Sequence, residues 1–108
     1  MANIDRIKLL QKFVNEEPSN PFNKYALAME YYESNPAESL KILSELIATF
    51  PDYLPSYYKL AHLHWALEEF DKAAEVFASG IKLAKSLNDQ KTLGELNSAY
   101  HNLQFEME

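Results

Sequence analysis

Residues 57–70 read YYKLAHLHWALEEF and hold two of the chain's three histidines, its only tryptophan and two of its seven tyrosines. Two readings compete. His62, His64, Glu68 and Glu69 could form a metal or acid–base cluster, or the stretch could be a helix with two differently employed faces. Helical geometry decides between them. Side chains two residues apart point about 200° from each other, so His62 and His64 cannot share one metal ion. Tyr57, Leu60, Ala61 and His64 fall on one stripe and Tyr58, His62 and Trp65 on another. The first stripe is the packing face, with His64 as a core imidazole that needs a hydrogen-bond partner. Glu68 and Glu69 fall at the turn that follows, where the expectation is a pair of solvated charges.

The same periodicity runs outward in both directions. Ile4, Ile7, Leu10, Phe13 and Val14 recur at three- and four-residue spacing, which predicts a helix over about 4–16 that stops before Pro18. Asn20-Pro21 and Asn35-Pro36 are helix starts: asparagine caps the free amides, and proline suits a first turn whose N–H has no partner anyway. Glu38 stands where it can return a bond to the Asn35 N–H. These marks predict helices from Pro21, from Pro36 to about Phe50, and from Pro55 to near Glu68. Two more follow, over about 70–86 and about 89–105, the last with Leu93, Leu96, Tyr100 and Leu103 as its stripe. Six helices with short links and no strand candidate make the chain all-α, built of antiparallel helices.

Composition narrows the function classes. The 108 residues carry a net charge of −6, with no basic cluster, which argues against nucleic acid and against an anionic membrane surface as partners. There is no cysteine, so zinc-thiolate sites, disulfides and a cysteine nucleophile are excluded. With Gly80 and Gly94 as the only glycines, no glycine-rich phosphate loop can be written, and no His-Glu-x-x-His occurs. No catalytic residue, metal site or cofactor is expected. The N-terminal stretch has no signal-peptide core and no apolar run has membrane-spanning length, so the expectation is a cytoplasmic protein.

Tyr57, Leu60, Ala61 and His64, then Ala73 and Phe77, have the spacing aromatic-x-x-Leu-small-x-x-aromatic followed by the second-helix small and aromatic positions. This resembles the tetratricopeptide repeat, a 34-residue helix-turn-helix unit. Lys85 stands where the family usually has proline. The preceding unit keeps Leu27-Ala28-x-x-Tyr31, Leu43 and Pro51, but Lys24 replaces the large aromatic and Ser39 the small alanine. Half-units flank the pair, one marked by Leu10 and Pro18, the other by Leu93-x-x-Leu96-Asn97-x-x-Tyr100. The resemblance implies a short right-handed solenoid forming one domain: a half-unit over 1–19, repeats over 20–52 and 53–87, and a capping helix over 88–108.

In that family the first helix of each repeat lines a concave groove. Carried over position by position, the resemblance makes Tyr25, Met29, Tyr32, Tyr58, His62, Trp65 and His101 the groove lining, with Phe22 at its edge and Gly94 as an open spot in the wall. Family members that clamp acidic C-termini use Lys, Asn and Arg on this stripe. Here Tyr, Met and His stand instead, so the expected partner is a protein or peptide segment that is apolar or aromatic, with basic residues favoured by the acidic field. Aromatic residues and methionine beyond the packing stripe suit binding hot spots. The competing reading is a self-associating scaffold, a homo-oligomer with no separate ligand.

Overall fold

The computed structural model describes residues 3–108. Among them lie six helices, α1 (Ile4–Glu16), α2 (Pro21–Tyr31), α3 (Pro36–Thr49), α4 (Pro55–Ala66), α5 (Phe70–Ser86) and α6 (Gln90–Met107), and no strand. The all-α expectation holds, and the starts at Pro21, Pro36, Pro55 and Phe70 fall where the sequence marks them. The helices group into two compact units, Met1–Tyr53 and Leu54–Glu108.

In the first unit α2 packs against both α1 and α3. Asparagine caps all three helices. Asn3 Oδ1 accepts from the Arg6 amide at 3.0 Å, Asn20 Oδ1 from that of Phe22 at 3.1 Å, and Asn35 Oδ1 from that of Glu38 at 3.3 Å. The expected return bond from Glu38 is pre-empted, because the Asn35 N–H already donates to the Tyr31 carbonyl at 2.8 Å. Leu27, Ala28, Ile42, Leu43 and Leu46 form the core. Ser39, the departure from the usual small alanine, is fully buried, and its hydroxyl donates to the Ala28 carbonyl at 2.8 Å, tying α3 to α2. Lys24, the other departure, reaches Glu45 on α3 at 3.4 Å. The α1 stripe needs correcting. No α1 residue is fully buried; Ile7, Leu10 and Val14 are half-buried, whereas Ile4, Leu9 and Phe13 are exposed.

In the second unit α5 packs against both α4 and α6. Gly80 permits the approach: a Cβ built there would lie 2.9 Å from Tyr57 Cβ on α4 and 3.3 Å from Leu96 Cδ1 on α6. One turn earlier, Phe77 is completely buried and meets His62, Trp65 and Tyr100 at ring-centroid distances of 5.5, 6.2 and 6.2 Å. α4 ends at Ala66, two residues short of the expected Glu68, in a Schellman turn. The Glu68 amide donates to the Trp65 carbonyl and the Glu69 amide to that of His64, with Glu68 left-handed at φ 61°. α5 ends the same way around Asn88, at φ 60°. Asparagine adopts this conformation readily, whereas glutamate does so at a steric cost of roughly 1–2 kcal/mol.

Two substitutions test these constraints in opposite directions by chemical denaturation. Gly80→Ala should lower stability: overpacking costs about 1–3 kcal/mol, and the nearest atom is a Cβ that cannot swing away, so the ~1 kcal/mol gained in helix propensity is outweighed. Glu68→Gly should raise stability by about 1 kcal/mol by relieving the left-handed strain. An unchanged Gly80→Ala would mean the two helices are not held this close.

Candidate functional site

The first α4 stripe is interior. Tyr57, Leu60, Ala61 and His64 are all buried. The imidazole of His64 finds its partner in Glu69: Nδ1–H donates to Oε1 at 3.0 Å, since an ionised carboxylate only accepts. Glu69 is therefore not the free solvated charge expected from its place at a turn. The Schellman turn folds it back over the last turn of α4, and Lys72 Nζ lies 3.5 Å from its other oxygen. The bond from His64 holds the Glu69 carboxyl below its usual range, with Lys72 assisting.

The second α4 stripe faces a cleft. Tyr58, His62 and Trp65 form one wall and Lys91, Gly94, Glu95, Ser98 and Asn102 of α6 the other, with Ala99 also lining a space of about 630 Å³. That volume lies within the ~300–1,000 Å³ usual for ligand clefts. The aromatic wall is a ladder. His62 lies 4.4 Å from Tyr58 and 5.6 Å from Trp65, nearly parallel to the latter at 17°, while Phe77 supports both His62 and Trp65 edge-on from behind. The indole N–H of Trp65 donates to Glu106 Oε2 at 2.6 Å, closing one end of the cleft against α6. A Cβ added at Gly94 would meet nothing within 4 Å, so the opposite wall is open there.

Of the residues carried over from the family pattern, the structure brings Tyr58, His62 and Trp65 together with Gly94. His101 lies outside this cleft: it is exposed, and its ring sits at 90° to that of Phe105, 5.2 Å away. His62 and His101 thus do not share a site. Among the described residues no three His, Asp or Glu side chains gather as metal ligands. Tyr25 and Met29 on α2 and Tyr32 at its C-terminal cap lie half-buried in the first unit, and Phe22 is 59% exposed. Tyr25 meets Tyr53 edge-on at 5.7 Å, and burial, with Tyr53 and Tyr32 adding to it, raises its phenol pKa. Sequence reasoning missed Lys91, Glu95, Asn102 and Glu106. Their spacing of four, seven and four residues is a helical stripe, but its polarity marks it as a solvent face.

His62 is the electrostatic peculiarity of the wall. Its Nε2 is buried without a hydrogen-bond partner, so a second ring proton has no acceptor. Burial, and secondarily Lys59, lowers its pKa from the ordinary 6.5.

Comparison with known proteins places this geometry in a class. Similar solved structures are those of a tetratricopeptide repeat domain protein from Salinibacter ruber. The solution structure is 37% identical over 80% of this chain and 88% of that one, with a TM-score of 0.75. The crystal structure is 37% identical over 79% and 97%, with a TM-score of 0.76. A Bordetella parapertussis protein has the same fold at 21% identity, with a TM-score of 0.81 over 98% of this chain and 91% of that one. No protein-family model and no curated protein matches the chain. The all-α helical-repeat architecture and these similarities define a protein-interaction type of module. The chain belongs to the tetratricopeptide repeat family.

The state of His62 predicts a pH response. Because its folded pKa lies below 6.5, its contribution to stability is present above that pH and is lost as pH falls through the lower folded value. Glu69, also lowered, adds a loss at more acid pH, below its ordinary 4.5. In denaturation series across pH 7 to 4, His62→Gln should flatten the loss just below pH 6.5 and leave the more acid loss in place. An unchanged profile would mean that His62 titrates normally.

Proposed function

We propose that the chain is a non-catalytic interaction module whose second unit holds a peptide or helix segment in the cleft between α4 and α6. The observation that carries this reading is the division of labour on α4. The stripe of Tyr57, Leu60, Ala61 and His64 supplies the packing, and a second stripe, Tyr58, His62 and Trp65, is left fronting an open cleft. Aromatic side chains held rigidly by a buried neighbour lose little entropy on binding and bury much area.

The chemistry of the walls supports one class of ligand. One is aromatic; the other carries Glu95 and Lys91 with the amide and hydroxyl of Asn102 and Ser98. Beyond the Trp65 end, Glu68, Glu69, Asp71 and Glu106 outnumber Lys72 around a neighbouring depression. A segment with apolar or aromatic residues and one or two basic residues fits both walls and gains a faster, salt-dependent encounter. The half-buried Tyr25, Met29 and Tyr32 offer contact chemistry of the same kind in the first unit. A cleft bounded by two helices buries less than the ~800 Å² per partner of a standard interface, so weak, micromolar-range binding is expected.

Titration calorimetry with a panel of basic-aromatic and acidic peptides is the test. The basic-aromatic peptides should bind, and Tyr58→Ala should weaken them at least tenfold with the fold retained. Leu60→Ala, on the packing stripe, should instead cost about 2–5 kcal/mol of stability. If Tyr58→Ala destabilises the fold as much as Leu60→Ala, the two stripes do not divide the work and the reading is wrong.

A further inference from the structure

We propose that the last turn of α6 is a strap at the end of the cleft, latched by the Trp65–Glu106 hydrogen bond and displaced when a ligand binds. The inference rests on the reading of the cleft given above and adds a means of control to it.

The bond stands between two hollows. Trp65 lines the cleft of about 630 Å³. Glu106 and Met107 line the neighbouring depression of about 530 Å³, opposite residues 68–72. The indole N–H donates to the Glu106 carboxylate at 2.6 Å, so this bond is the partition between the two. While it is made, the polar edge of the indole is occupied and the cleft is shut at that end. When it breaks, the indole edge is free and the two hollows run into one.

The turn that carries Glu106 is poorly held by everything else. Leu103 is the last buried residue of α6, and residues 104–108 are exposed. Phe105 stands 65% exposed and meets the His101 ring on its own helix, a contact that ties nothing to α4. The closing bond of the helix, from the Glu108 amide to the Phe105 carbonyl, is long at 3.4 Å. Charge works against the turn as well. Glu106 and Glu108 sit at the negative end of the helix dipole, and no basic residue in the last turn offsets them. Terminal turns of this kind fray. One short, charge-assisted bond therefore sets the balance between a docked and a frayed turn, and being exposed it competes with water. Such a balance is one that a ligand can shift. The coupling is reciprocal: whatever frees the strap raises affinity for a ring stacked on Trp65, and that ring in turn frees the strap.

The chain's single tryptophan makes the latch visible, because its indole N–H gives one nitrogen-15 correlated resonance. In the parent that resonance should be shifted by the hydrogen bond and its proton should exchange slowly with solvent. In Glu106→Ala it should move to the free-indole position and exchange quickly. The probe is unlabelled N-acetyl-L-tryptophanamide, which is uncharged, so a change in protein charge does not by itself alter its binding. Its affinity should rise about threefold or more in Glu106→Ala. It should also rise in Gln104→Gly, which loosens the turn without touching the carboxylate. Glu108→Arg favours the turn through the helix dipole and should slow indole exchange and weaken the probe. In the parent, the heteronuclear Overhauser effects of residues 105–107 should fall as probe is added, because the displaced turn frays. All three substituted positions are exposed, and thermal unfolding close to that of the parent excludes loss of fold as the cause. An indole already free in the parent overturns the latch, as does a probe affinity that Glu106→Ala leaves unchanged or lowers. If Tyr58→Ala still abolishes probe binding in that event, only this inference fails and the reading of the cleft stands. A probe that binds neither the parent nor Glu106→Ala in millimolar titrations overturns both.

Discussion

The close approach of α5 to its neighbours is the constraint on which the second unit depends. Gly80 removes the one Cβ that would hold α5 off Tyr57 and Leu96, and Phe77, one turn earlier, fills the space that the approach creates. Phe77 has a second consequence. By meeting His62 and Trp65 edge-on, it supports the aromatic ladder from behind and leaves the opposite side to the cleft. Core and site thus share a single ring. The price is the unpartnered Nε2 of His62, a polar atom kept dry in the wall of a candidate binding surface.

Much of this was legible before any coordinates, because it is local. Asparagine followed by proline states where a helix can begin, and the structure starts α2 and α3 there with the asparagine side chains as caps. The separation of the two α4 stripes also needs only the helical period. The departures of Ser39 and Lys24 from the family pattern acquire reasons only from α2–α3 contacts: a buried bond to the Ala28 carbonyl and an ion pair with Glu45.

What the sequence hid depends on chain direction or on distant neighbours. Glutamate is a poor residue for a left-handed backbone, so nothing marked Glu68 as the pivot that turns Glu69 back onto His64. The bond between Trp65 and Glu106 joins residues 41 apart and has no local signature. On α6 the family register selects Gly94, Ser98 and His101; the cleft takes Gly94 and Ser98 but adds Lys91, Glu95 and Asn102 in place of His101. The helix presents a face rotated toward Asn102, which leaves His101 beside Phe105. Amphipathic spacing identified α1 as a helix but could not report that part of its apolar surface has no cover.

The central claim is that the Tyr58–His62–Trp65 ladder belongs to an open surface, not to the interior. Acrylamide quenching of Trp65 emission in the dilute chain addresses it directly, since this is the only tryptophan. The account predicts ready quenching at low concentration and a marked further loss of shielding in Glu106→Ala, which frees the indole from α6. A Trp65 that stays shielded at the lowest concentration, with or without Glu106, would make the ladder part of the core and contradict the account.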